Sequence, residues 1–288
     1  MNSVFERYCL IRRKKLLKWL GVLLLCLHTQ LNASQLPQVN GIHELPKSAQ
    51  HTIHQWITFA IDATQAQLGP LEANSYAFDI EAKWLANEPV PWAQINRAKT
   101  NRVALTIDRF AELEELKQDW TLYHELAHLY LPLTEADSIW LNEGFATYMQ
   151  QHIMLRQGLL NQVQYTQRVR AGLARGKIQT RKVSGALNEV SDNMWHLNAY
   201  QRVYWSGVAY FIEAEIALLD RNTNLKDVIL ACRACTQDSS TLTGSELVTL
   251  LDRYSQSQVF SRLYFQYRTR ADFPAISDAQ ITRTYQQW

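Results

Sequence analysis

The stretch from His124 to Tyr148, His-Glu-Leu-Ala-His-Leu-Tyr-Leu-Pro-Leu-Thr-Glu-Ala-Asp-Ser-Ile-Trp-Leu-Asn-Glu-Gly-Phe-Ala-Thr-Tyr, constrains this chain more than any other. Its opening His-Glu-x-x-His has chemical meaning only on a helix. There, 3.6 residues per turn put His124 and His128 on one face, one turn apart. Two neutral imidazoles so placed can share one Zn²⁺, and Glu125 beside them can reach a water on the ion. Leu122, Leu126 and Leu129 follow the i, i+4, i+7 spacing of a face buried against a core. The pattern therefore predicts a helix with a solvated chemical face and a dry packing face.

A five-residue pattern alone arises by chance, and lone helical histidines are usually structural or solvated. The second half of the stretch carries the argument. Zinc held by two His needs a third protein ligand and one position left open. A second helix carrying Trp140-Leu-Asn-Glu143-Gly-Phe-Ala146 can bring Glu143 against the first. Asn142 beside it is a candidate for orienting the ligands.

These two segments resemble the gluzincin metallopeptidases, specifically the aminopeptidase N family and its glycyl aminopeptidase relatives. The resemblance implies an α+β, thermolysin-like zincin domain, with a small α/β half, a mostly helical half and a cleft between. It implies His124, His128 and Glu143 as zinc ligands and Glu125 as general base for a zinc-activated water in peptide hydrolysis. Fourteen residues separate His128 from Glu143, about one helical turn fewer than is usual in the family. A tighter connection around Pro132 is expected to absorb the difference. The family also uses a downstream tyrosine, in a Tyr-x-Lys-Gly setting, to stabilise the oxyanion. Here Tyr204-Trp-Ser-Gly207 stands at that distance, with Ser206 in place of the lysine and with Tyr200 and Tyr210 as rivals.

Upstream, residues 47–68 place Ile53, Trp56, Ile57, Ala60, Ile61 and Leu68 at helical spacing, and Gly69-Pro70 ends the run. Residues 75–84 alternate as a strand, Pro89 and Pro91 mark a loop, and residues 102–107 form a second strand. By the resemblance, Val103 to Ile107 is the candidate for the edge strand that binds substrate backbone. The family's Gly-x-Met-Glu-Asn segment, whose glutamate holds the substrate's amino terminus, is missing upstream of His124. That absence predicts a hydrolase not restricted to free amino termini. Past Gly158 the chain reads as helical, with stretches at 195–219, 225–235 and 245–254 and an aromatic stripe at 260–265 that suits core packing.

Residues 1–33 carry Arg12, Arg13, Lys14, Lys15 and Lys18 ahead of an apolar run from Trp19 to Leu27, the arrangement of a signal peptide. The run is shorter than the roughly 20 residues of a membrane span. Export to the periplasm or medium is therefore expected, with an uncleaved membrane anchor as the alternative, and residues 34–288 as the peptidase domain (34–133 and 134–288 as its halves). The leader holds six of 29 basic and one of 27 acidic residues, leaving 23 against 26, a net of −3. A basic patch for nucleic acid is not expected, nor is stable membrane insertion; a peptide or protein substrate is. Cys232-Arg-Ala-Cys235 reads as a local disulfide or two inert thiols ahead of a redox motif. His43, His51, His54, His152 and His196 are not assigned to metal. The alternative function is a catalytically degenerate member of the fold that binds peptides or assembles partners. Retention of Glu125 argues against it, because binding alone has no use for a general base.

Overall fold

The computed structural model describes residues 36–232 and 241–286; the predicted leader lies outside them. A β-strand, β1 (Val39–Asn40), leads into helix α1 (Lys47–Leu68), whose Ile53, Trp56, Ile57, Ala60 and Ile61 are buried. Gly69 stops it with φ +89°, a conformation that L side chains rarely adopt, and an added Cβ would sit 2.6 Å from Leu230 Cδ2. The chain returns as β2 (Tyr76–Lys83), parallel to β1. Strand β3 (Trp92–Asn96) and strand β4 (Asn101–Asp108) complete a four-stranded mixed sheet in the order β1-β2-β4-β3.

This order corrects one expectation. Val103 to Ile107 belongs to β4, which pairs in parallel with β2 (Phe78 opposite Val103) and antiparallel with β3 (Ala93 opposite Leu105). Strand β4 is therefore interior, and the edge on its side of the sheet is β3, within a stretch expected as a loop. Only Ala93 and Ile95 of β3 are half-buried, so its periodic signal is faint. Pro91 just before it is tolerated because an edge strand's outer N–H groups need no partner.

Helix α2 (Leu113–Gln118) precedes the short helix α3 (Thr121–His128). A 3₁₀ turn at Ala136–Ser138 opens α4 (Ile139–Arg156), which is buried on nearly every side. Such a helix lies at the centre of a fold rather than on its surface. Helices α5 (Gln162–Thr180), α6 (Leu187–Asp192) and α7 (Met194–Leu197) lead to α8 (Tyr200–Leu219), which packs along α4. The expected single stretch at 195–219 is broken where Asn198 takes a left-handed conformation, φ 49°. Helices α9 (Leu225–Ala231), α10 (Gly244–Ser255), α11 (Val259–Tyr267) and α12 (Asp278–Gln286) complete the helical part. The protein is α+β, mostly helical with a small mixed sheet. Cys232 is buried and disulfide-bonded; Cys235 lies outside the described residues. No helix among the described residues is long and apolar enough to cross a membrane.

Candidate metal centre and active site

His124 and His128 leave α3 one turn apart, and α4 presents Glu143 opposite them. His124 Nε2 stands 3.0 Å from His128 Nε2 and 3.3 Å from Glu143 Oε2, and His128 Nε2 is 3.7 Å from the same oxygen. Ligands held at about 2.0–2.2 Å around one tetrahedral zinc ion lie roughly 3.3–3.6 Å from one another. The observed spacings bracket that range. These three form the one cluster of His, Cys, Asp or Glu able to hold a metal among the described residues, with ligand atoms within 4.8 Å of one another.

The donor set fits a cation on chemical grounds as well. His124 Nδ1 faces Gln150 Oε1 at 2.9 Å. An amide oxygen accepts, so Nδ1 carries a proton; burial opposes the charged ring but Glu143 outweighs it and raises the pKa, and the neutral form turns its Nε2 lone pair into the cluster. Burial drives His128 down to about 3, against the attraction of Glu143, so its imidazole is neutral. Glu143 resists burial through His128, His124 and Tyr204 and stays ionised, yet its buried Oε2 has no hydrogen-bond donor. A buried carboxylate oxygen left without a donor beside two converging ring nitrogens is costly until a cation satisfies it.

Glu125 follows His124 on α3 and is 8% exposed. Burial pushes its carboxyl up to about 7, opposed by His124 and by Arg97 and reinforced by Glu143. Both His124 and Glu125 are buried, so the solvated face expected of this helix is instead packed inside the protein. Arg97, just past β3, gives its guanidinium to the carbonyls of His128 and Leu131 at the end of α3, the latter at 3.1 Å. It joins the edge strand to the helix bearing His124 and His128, where the helix dipole favours a cation.

The shortened connection is tied by Asn142. Its Oδ1 accepts from Thr134 N–H at 2.9 Å and Thr134 Oγ1 at 2.7 Å, and its Nδ2 donates to Pro132 O at 2.8 Å. Asn142 therefore closes the loop that delivers Glu143 and makes no hydrogen bond to the ligands.

Tyr204 arrives from α8. Its ring stacks 6.0 Å from that of His124, and its phenol interacts with the Glu143 carboxylate. Burial and then Glu143 hold this phenol far above its ordinary pKa, so it remains a donor. The placement depends on two glycines. A Cβ on Gly207 would lie 2.2 Å from Trp140 O and 2.5 Å from Gly144 Cα, so α4 and α8 cross backbone to backbone. The rival Tyr210 is buried and donates to Phe260 O at 2.9 Å. Tyr200 sits on the rim, its hydroxyl toward Asn198. Of the unassigned histidines, His152 is buried with Nε2 2.7 Å from Tyr165 Oη, and the others are exposed.

A cleft of 670 Å³ adjoins the cluster, walled by Trp120, Gln150 and Tyr204 among others. Residues 128–216 match the family model of the M61 glycyl aminopeptidases, a span that includes His128, Glu143 and Tyr204. No curated protein matches the chain. Among solved structures, an aminopeptidase N family protein from Idiomarina loihiensis superposes with TM-score 0.54 at 13% identity, over 85% of this chain and 46% of that one. The resemblance is to the gluzincin aminopeptidases. At that identity the likeness is one of fold, and the chain spans about half the length of that neighbour. Within the gluzincin frame, Gln150 and Arg97 are the site residues that sequence reasoning missed. Gln150 could have been found, since it lies two helical turns past Glu143 on the same face.

Proposed function

We propose that this chain is a zinc-dependent peptidase. The observation that carries the proposal is the convergence of His124 Nε2, His128 Nε2 and Glu143 Oε2 in one buried spot, with Glu125 alongside and Tyr204 over it. His124, His128 and Glu143 would hold the ion, oriented by Gln150. When bound, zinc supplies Lewis acidity that brings a water nucleophile within reach of neutral pH and draws charge from a carbonyl. Glu125 accepts the water's proton and returns it to the leaving amine. Its near-neutral proton affinity suits both transfers, and the positive charge of an ion beside it would favour the carboxylate form in the resting state. Tyr204 donates its phenolic proton as a hydrogen bond to the developing oxyanion. The outer side of β3 offers unpaired backbone groups beside α3, where an extended peptide can add as a further strand.

Recognition of a free amino terminus needs an uncommitted carboxylate. In the cleft wall, Glu115 accepts from Glu112 N–H at 2.9 Å to cap α2, and Asp119 accepts from Thr121 N–H at 2.8 Å to start α3. Both acids are engaged in holding helix ends. The reading is therefore of a peptidase that does not require a free amine, acting on exported protein substrates once residues 1–33 have directed export.

The test is digestion of a peptide library by the full chain, with mass-spectrometric readout, with and without a chelator. Each peptide is paired with its N-acetylated twin. Cleavage that chelation abolishes and zinc restores is expected, at similar rates for both twins. Glu125→Gln should retain zinc and lose turnover by about two to four orders of magnitude. Chelator-insensitive cleavage would refute the metal mechanism, and loss on acetylation alone would restore an aminopeptidase.

A further inference from the structure

The cleft beside the metal cluster has a floor and a wall that the proposed chemistry does not use. The floor is α4 continued past Glu143. Thr147, Gln150 and Gln151 fall one to two turns on, along the same face, and each is 5% exposed. Gln150 is committed to His124. Thr147 Oγ1 and Gln151 Oε1 are buried without any hydrogen-bond partner. Both make a poor floor for an apolar side chain, and the Thr147 hydroxyl can donate to an anion above it, whereas Gln151 Oε1 only accepts.

The wall is α5, which presents Arg168 and Arg175 two turns apart. Neither has a carboxylate partner among the described residues. Arg168 makes one long contact, Nη1 to Met154 Sδ at 3.8 Å. Arg175 is held in place by Gln201 Oε1 at 2.8 Å on Nε and by the Trp205 ring 5.5 Å beneath it. Its terminal nitrogens, the pair that engages a carboxylate most strongly, make no hydrogen bond among the described residues. Across the cleft, Glu115 and Asp119 accept backbone N–H groups at helix ends, whereas neither arginine is paired with a carboxylate among the described residues.

Resting on the peptidase reading, we propose that this cleft is a specificity pocket for a substrate carboxylate, bound by Arg168 and Arg175 above the Thr147–Gln151 floor. The carboxylate has two sources, an acidic side chain near the scissile bond or the carboxyl terminus of a short peptide. Because the pocket starts at Gln150 and Tyr204, the group it selects lies within a residue or two of the bond cleaved.

The experiment uses quenched fluorescent peptides, blocked at the amino end, on the zinc-loaded full chain. One arm scans Glu, Gln and Lys on either side of the bond in C-terminally amidated peptides. The other compares a neutral peptide with free and with amidated carboxyl ends. A preference of about tenfold or more in kcat/KM for the carboxylate is expected in one arm, which names the source. The Arg168→Gln/Arg175→Gln double variant should bring the ratio close to one, and Arg175→Glu should shift it toward Lys. This also separates the arginines from direct attraction of acidic peptides to zinc, which the variants leave intact. Thermal melts establish that each variant is folded. Fluorescence anisotropy on Glu125→Gln protein measures the same preference without turnover. Carboxylate-selective binding with no cleavage by the wild type would overturn the peptidase and keep the pocket. No preference in either measurement, or one that persists in the double variant, would overturn the pocket.

Discussion

Gly207→Ala tests the idea that the meeting of two helices sets the active site. The added methyl would lie 2.2 Å from Trp140 O and 2.5 Å from Gly144 Cα. Those neighbours are backbone atoms of the buried helix α4 and cannot turn aside. Restoring ordinary contact, about 3.4 Å, requires α8 to withdraw by roughly 1 Å. Overpacking of this kind costs about 1–3 kcal/mol, which in a chain of this size lowers Tm by roughly 2–6 °C. Tyr204 lies one turn before Gly207 on the helix that moves, whereas His124, His128 and Glu143 lie on α3 and α4. The variant should therefore keep its zinc and lose kcat by on the order of a hundredfold, the scale expected for a 1 Å misplacement of a catalytic group. It should resemble Tyr204→Phe in lowering kcat more than it raises KM, although Tyr204→Phe should melt near the wild type. Differential scanning calorimetry, zinc content and steady-state kinetics give the three readouts. Wild-type kcat together with a lowered Tm would show that α8 does not deliver a catalytic group. An unchanged Tm would show that the helices are not in the contact described.

The chain should bind about one zinc ion, as expected of a site with three protein ligands. His124→Ala, His128→Ala and Glu143→Ala should each reduce that to background by elemental analysis. Full zinc affinity in Glu143→Ala would mean that another residue completes the site. Asn142→Ala strands buried groups of Thr134 and Pro132 and should cost about 2–4 kcal/mol in urea denaturation, with weaker zinc binding because Glu143 loses its fixed approach. Asn142→Asp keeps the acceptor toward Thr134 but loses the donor to Pro132, so it should fall between Asn142→Ala and the wild type; equal stability of all three would remove the loop clamp from the account.

What the sequence disclosed follows from where a signal is concentrated. Helix α1 was readable to the residue because its apolar spacing and Gly69 agree, and nothing outside the helix had to be known. The pairing of His124 and His128 was readable because helical geometry alone puts them on one face. Glu143 was readable as a motif, but its arrival at the cluster depends on a loop closed by Asn142, and that hydrogen bonding has no periodic trace. Strand β3 was lost because five residues with two half-buried side chains give almost no pattern. Gln150 and Arg97 were missed for another reason. Each acts through one contact with a distant residue, and glutamine or arginine in a helix or after a strand is most often solvated. The break at Asn198 was hidden because the apolar spacing on either side of it continues nearly in phase.

The C-terminal helices resemble packing material in the sequence, yet they hold the His124–His128–Glu143 cluster in register. The connection between His128 and Glu143 is short, and Asn142 closes only its inner side. Its outer side pairs with the segment ahead of α10: Leu242 N–H donates to Leu133 O at 2.8 Å and Glu135 N–H donates to Leu242 O at 2.9 Å. Thr243, the next residue, caps α10 and shares a capping box with Glu246, so the pairing segment is anchored to a regular element. The start of α4 is fixed the same way. Ser138 lies 3.1 Å from Tyr264 Oη on α11 and against Gly244, where an added Cβ would come within 2.3 Å of its Oγ. Trp140, one residue into α4, stacks on the rings of Tyr264 and Tyr267. A carboxylate ligand must hold its place to a fraction of an ångström to complete a tetrahedral site. The helix bearing Glu143 meets that demand by clamping its first turn between the loop behind it and the helices after residue 242. The family match ends at residue 216, but the mechanical support of the site does not.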